Sequence, residues 1–242
     1  MKSVGLALAG AALLFTSTLV AQDAPPIVFG QYYECNQGQE ARADEIAMEV
    51  YGPIVQKHVD AGALSGWGWL SHVQGGAWRR GLFSTGTDMA QMMETRESII
   101  QELTNDHADE LEELGTICPS HDDYIWVGIA NSTPGPNAQG PATMSSYHMC
   151  DRGREGRADE IFTDVLAPLY QKHIDLGHIA SYGYFAHRSG GMFRRLETLS
   201  GPDHLTLMNM QGAVYQEADP IAMQEFSSIC STHTDYMWNR GN

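Results

Sequence analysis

Two stretches of this chain carry nearly the same residues in the same order. The segment from Cys35 reads C-N-Q-G-Q-E-A-R-A-D-E-I, and that from Cys150 reads C-D-R-G-R-E-G-R-A-D-E-I. The match resumes at P-I-V-Q-K-H-V-D-A-G (Pro53 to Gly62) against P-L-Y-Q-K-H-I-D-L-G (Pro168 to Gly177). It closes with C-P-S-H-D-D-Y-I-W from Cys118 against C-S-T-H-T-D-Y-M-W from Cys230. A self-match of this length predicts two equivalent folding units, because like sequences fold alike.

The ends and the composition narrow the class of protein. Lys2 followed by the mostly apolar run Val4 to Val20 reads as an export signal, residues 1–21, with Leu19-Val20-Ala21 as the cleavage site. A formal charge of -16 argues against nucleic acid, since phosphate binding needs a basic surface. No other apolar stretch has spanning length, so stable membrane insertion after cleavage is not expected. Four cysteines, two per copy, read as two disulfides in a periplasmic or extracellular protein. The repeat favours Cys35–Cys118 with Cys150–Cys230, so that each unit closes itself. A metal site competes with this reading but lacks a C-x-x-C clip.

Periodicity orders the elements within a unit. Ile27 to Cys35 is strand-like, and a helix runs from about Ala41 to Ala61 with Ile46, Val50, Ile54 and Val55 as its stripe. Gly62 stops that helix. Strands Leu64 to Gln74 and Ala77 to Ser84 flank Gly75-Gly76, a hairpin signal. A second helix starts at Asp88, weaker helix reaches Leu114, and Asp123 to Ile129 closes the unit. The second copy repeats the order: Met144 to Cys150, a helix near Ala158 to Leu176, a hairpin at Gly190-Gly191, a helix near Pro202, and Asp235 to Trp238. This is the β-α-β-β-α-β order of a ferredoxin-like unit. The expected organisation is a first unit over 27–129, a Pro/Gly-rich linker over 130–143 and a second unit over 144–242. In that topology each cysteine pair falls at one end of neighbouring strands, which agrees with the proposed bridges.

With this order, and with stretches such as P-x-x-x-K-H-x-D-x-G-x-[IL] before an aromatic strand and a Gly-Gly turn, the chain resembles the dimeric α+β barrel superfamily in tandem form. That group includes antibiotic-biosynthesis monooxygenase-like, EthD-like and NIPSNAP-like domains and the haem-binding chlorite dismutases. The resemblance implies an α+β fold in which two ferredoxin-like units form one pseudo-dimeric barrel. It also raises haem as a cofactor, with a helix histidine as ligand.

Several residues could carry chemistry. If Gly75-Gly76 is the turn, His72 lies opposite Arg79, and His187 opposite Arg194. Each pair suits a base beside an oxyanion partner, or a structural bridge to Asp44, Glu45, Asp159 and Glu160. His58 and His173 extend the helix stripes and are candidates for a structural bond, a base or an iron ligand. His121 and His233 form H-x-D pairs with Asp123 and Asp235, too few ligands for a metal site. The hairpin count puts Trp67, Trp69 and Trp78 on one face, and Tyr182, Tyr184 and Phe193 on its counterpart. Tyr124 with Trp126, and Tyr236 with Trp238, share faces of the last strands. These aromatics line a cavity for a flat apolar ligand or glue the units together. The methionines of the second helix read as core. No G-x-S-x-G, P-loop or dinucleotide motif is present.

Two functions remain open on the sequence: a small-molecule carrier, and a cofactor-independent oxygenase or isomerase using a His–Arg pair. One working pocket would suffice, so the copies should differ there. Trp67 and Trp69 become Tyr182 and Tyr184, and Tyr33 becomes His148.

Overall fold

The computed structural model describes residues 24–132 and 140–241. The expected export signal over 1–21 and residues 133–139 of the expected linker lie outside the described residues. The first half runs β1 (Ile27–Glu34), α1 (Glu40–Ile46), a π-helical turn (Ala47–Tyr51), α2 (Gly52–Asp60), β2 (Gly66–Gly75), β3 (Arg80–Gly86), α3 (Met89–Asp106), α4 (Ala108–Ile117) and β4 (Ser120–Asn131). The second half repeats it as β5 (Ala142–Met149), α5 (Glu155–Ile161), a π-helical turn (Phe162–Leu166), α6 (Ala167–Asp175), β6 (Ser181–Gly190), β7 (Arg195–Gly201), α7 (His204–Glu217), α8 (Pro220–Ile229) and β8 (Thr232–Arg240).

Local chemistry sets these boundaries. Asp88 and Asp203 cap α3 and α7, accepting hydrogen bonds from the Gln91 and Thr206 amides. Gly62 and Gly177 take φ of +75° just past α2 and α6, a conformation that ends a helix without a Cβ penalty. The single long helix expected near each N-terminus is broken by a π turn. Val50, within that wider turn, and His58, after it, are half-buried, while Ile54 and Val55 stay in the core.

The eight strands close into an antiparallel barrel in the order β1-β3-β2-β8-β5-β7-β6-β4. Each half contributes four neighbouring strands. The seams are β2 with β8, from Leu70↔Arg240 to Gly75↔Tyr236, and β4 with β6, from Tyr124↔Gly190 to Asn131↔Gly183. Closure leaves no exposed edge among the described strands. Helices pack outside, so each half has a core between sheet and helices, and a further core lies inside the barrel. Cys35 follows β1 and Cys118 precedes β4, its sheet neighbour, and the two are bridged; Cys150 and Cys230 are bridged in the same way. The two disulfides fit a non-cytoplasmic location. Among the described residues no helix is long and apolar enough to cross a membrane.

Candidate functional site

The hairpin register brings His72 and Arg79 together, and His187 and Arg194. Arg79 Nη1 lies 2.7 Å from His72 Nδ1, and Arg194 Nη1 lies 2.8 Å from His187 Nδ1. A guanidinium can only donate, so each Nδ1 accepts and each Nε2 carries the proton. Those protons point at the Gly75 and Gly190 carbonyls, 3.3 and 2.8 Å away. Both ring nitrogens are thus engaged, and neither offers a lone pair to a substrate. Burial, and then the Arg79 charge, hold the His72 pKa below its ordinary value. Glu40 and Glu155 complete the two clusters by pairing with Arg79 and Arg194. The bridging acids are therefore not those expected for these arginines. Asp44 and Asp159 instead grip Arg80 and Arg195 through both carboxylate oxygens.

The aromatic residues divide between two layers. Tyr124, Trp126, Tyr236 and Trp238 point into the barrel, with Tyr124 stacked on Trp126 at 4.9 Å and Tyr236 on Trp238 at 5.0 Å. Trp67, Trp69, Tyr182 and Tyr184 point outward to the helices. Trp78 and Phe193 do not share that outward face, contrary to the hairpin count. The β2–β3 ladder ends at Ser71↔Arg80, and the chain then turns inward, stacking Trp78 on Tyr32 at 4.4 Å and on Tyr236 at 4.9 Å. Phe193 enters the same interior cluster. Each hairpin tip therefore lies on the last strand of the other half, Trp78 on Tyr236 and Phe193 beside Tyr124.

The largest difference between the halves lies between sheet and helices. In the first half this space is a cleft of about 220 Å³. Its apolar walls include Ala47, Leu82, Ile100 and Leu114, and its polar groups are Gln31, Tyr33, Tyr51, Arg96 and His121. Trp69 forms one wall, fixed by its Nε1 proton donated to Asp44 at 2.7 Å. Burial pushes the Tyr51 phenol up to about 12 and raises Tyr33 further, so both are neutral donors. Arg96 Nη2 stands 3.5 Å from Asp123 Oδ2. His121 turns Nδ1 to Asp123 Oδ1 at 3.1 Å, and because a carboxylate only accepts, Nδ1 carries the proton there. Nε2 is left as the acceptor.

The repeat match places Phe162 where Ala47 stands, and the aligned helix caps and cysteines place Tyr215 and Phe226 where Ile100 and Leu114 stand. These larger residues fill the second half. Phe162 stacks on Tyr184 at 3.8 Å, and Glu197, equivalent to Leu82, is buried beneath the Tyr170 and Tyr215 hydroxyls at 2.5 and 3.0 Å. Burial alone would raise the Glu197 carboxyl. The pull of His148, with Nε2 at 3.7 Å, and the two phenol hydrogen bonds outweigh it and hold the carboxyl below the usual range.

The remaining histidines lie apart from the cleft. His58 is half-buried at the end of α2 and does not line it. His173 is buried, with Nδ1 3.0 Å from His178 Nδ1 and Nε2 3.7 Å from Glu217. Packed aromatic rings occupy the sheet face of its half, so His173 has no room for a macrocycle, and no helix histidine lines the first-half cleft. The side chains present do not fit haem. His233 pairs with Asp235 at 3.3 Å through Nε2, where His121 uses Nδ1 towards Asp123. Among the described residues no group of three or more His, Cys, Asp or Glu is placed to hold a metal ion.

The sequence reading passed over Tyr51, Arg96, Gln31 and the Ala47/Phe162 exchange. The signal was the aligned copies themselves, compared at positions inside the helices.

Comparison with known proteins places the fold. No family model and no curated protein matches the chain. Solved structures do. A monooxygenase-like protein of Fusobacterium nucleatum aligns with a TM-score of 0.62 at 11% identity, over 90% of this chain and 94% of its own. An anthrone oxidase-like protein aligns at 0.56 and 10% identity, over 91% and 93%. Chlorite dismutase of Candidatus Nitrospira defluvii aligns at 0.54 and 8%, over 91% and 92%. The chain thus has the α+β fold of the dimeric α+β barrel monooxygenase-like and chlorite dismutase-like proteins, a fold compatible with small-molecule binding.

Proposed function

We propose that this chain is an exported tandem barrel of two ferredoxin-like units, over 27–129 and 144–242, that binds a flat apolar or aromatic molecule in its first-half cleft. The observation that carries the reading is the asymmetry of the halves. Where the first half has Ala47 and an open cleft of about 220 Å³, the second has Phe162 stacked on Tyr184. A duplicated unit that keeps one space and fills the other retains the space for use. The cleft offers a ring-sized apolar slot, two neutral phenols and one cation, which suits an aromatic ligand bearing a phenolic or carbonyl oxygen. The two disulfides support a periplasmic or extracellular location.

Titration with 2-naphthol, followed by calorimetry, tests this. Saturable binding that weakens at least about tenfold in Ala47→Phe is expected. Unchanged affinity in that variant would place the ligand elsewhere.

One observation favours a catalytic form of the same reading. His121 lines the cleft with its Nδ1 held by Asp123 and, among the described residues, no hydrogen-bond partner at Nε2, with Arg96 nearby to stabilise an oxyanion. A cofactor-independent oxygenase or isomerase would use this dyad as its base in place of the occupied His72 and His187.

A further inference from the structure

We propose that the barrel interior contains a separate binding site for a small aromatic carboxylate, with Arg240 as its cation. The site is independent of the first-half cleft. Alternation along β8 puts Arg240 on the interior row with Tyr236 and Trp238. There it borders a cavity of about 170 Å³ whose walls come from both halves of the barrel.

The first argument is charge. Arg79, Arg80, Arg96, Arg194 and Arg195 are each partly or fully buried and each faces a carboxylate. Arg240 is partly buried too, yet among the described residues it faces none. Its close neighbour is the Phe83 ring, 5.5 Å from the guanidinium carbon. Desolvation lowers its pKa with nothing to oppose it. A desolvated cation without a partner is costly. In a chain with 30 acids against 14 basic residues, its isolation is not a shortage of acids.

The second argument is the lining. Thr143, Ser145, Ser181 and Ser200 present hydroxyls to the cavity, while Phe83, Tyr147 and Phe185 supply flat apolar walls. Hydroxyls and a guanidinium are the donors that a carboxylate accepts from. A closed apolar cavity of about 150 Å³ holds benzene, so this space admits one ring. The cation belongs to one mouth of the barrel only. Aligning Trp126 with Trp238 puts Gly128 at the position equivalent to Arg240.

Benzoate and its neutral counterpart benzyl alcohol are the probes, titrated into the full chain with calorimetry and tryptophan fluorescence. Benzoate should bind saturably and at least about tenfold more tightly than benzyl alcohol. Arg240→Gln should remove that preference, Arg240→Lys should keep part of it, and Ala47→Phe should leave it intact. The lysine variant covers the case in which the glutamine variant does not fold. No saturable benzoate binding, equal affinity for the two probes, or a full benzoate preference in Arg240→Gln would overturn the site. Loss of benzoate binding in Ala47→Phe would move the anion to the cleft and also overturn it.

Discussion

Phe162 and Tyr184 lie ring on ring, with centroids 3.8 Å apart and planes 5° from parallel. Phe162 is fully buried, and its ring also packs beside Tyr170 and Tyr182, with centroids 6.1 and 6.3 Å away. Phe162→Ala should therefore destabilise the fold by about 3–5 kcal/mol, read from denaturant midpoints. The opposite exchange, Ala47→Phe, enters existing space, so it should cost less than about 1.5 kcal/mol while closing the cleft. Equal losses in the two variants would contradict the asymmetry of the halves.

A different constraint acts where the hairpins cross to the other half. A Cβ on Gly190 would stand 1.9 Å from the Asp123 carbonyl oxygen, and φ there is +105°. Gly153 has a comparable φ of +90° with nothing within 4 Å. Gly153→Ala should lose about 1 kcal/mol to conformation alone. Gly190→Ala should lose clearly more in the same unfolding experiment, because backbone must move away from backbone. Similar losses would show that the seam tolerates the added atom.

Acid should weaken the fold before the carboxylates titrate. His72 and His173 both have folded pKa values below the ordinary 6.5, chiefly through burial. The unfolded chain binds these protons more readily, so the stability is fully present above pH about 6.5 and lost as pH falls through the folded values. The melting temperature should drop as pH falls below about 6.5. In a His72→Gln, His173→Gln double variant that drop should be smaller, and an unchanged pH profile would count against the assignment.

Removing one bridge tests the closure of a half. The Cys35–Cys118 link spans 83 residues. Cys35→Ser with Cys118→Ser should cost about 2–5 kcal/mol, measured against the intact protein under non-reducing conditions. A loss well below that range would mean that the β1–β4 ladder already holds the ends of these strands together.

Much of the architecture was legible because it rests on local rules. Glycine after a helix, aspartate at its start and Gly-Gly between strands act over a few residues, and all recur in both copies. The His72–Arg79 contact followed from counting outward from the turn. Counting failed for Trp78, since the ladder stops at Ser71↔Arg80 and the aromatic stack on Tyr236 draws the ring inward. That partner is 158 residues away in the chain.

By itself the sequence determined the element order and favoured pairing the cysteines as Cys35–Cys118 and Cys150–Cys230, since these depend on short-range pattern and on the likeness of the two stretches. Tertiary structure alone decided which half keeps a cleft, that both hairpin histidines are fully engaged, and that Arg240 faces no acid among the described residues inside the barrel. Those outcomes depend on which side chains from distant segments meet, and hence on volume and charge balance across the closed sheet.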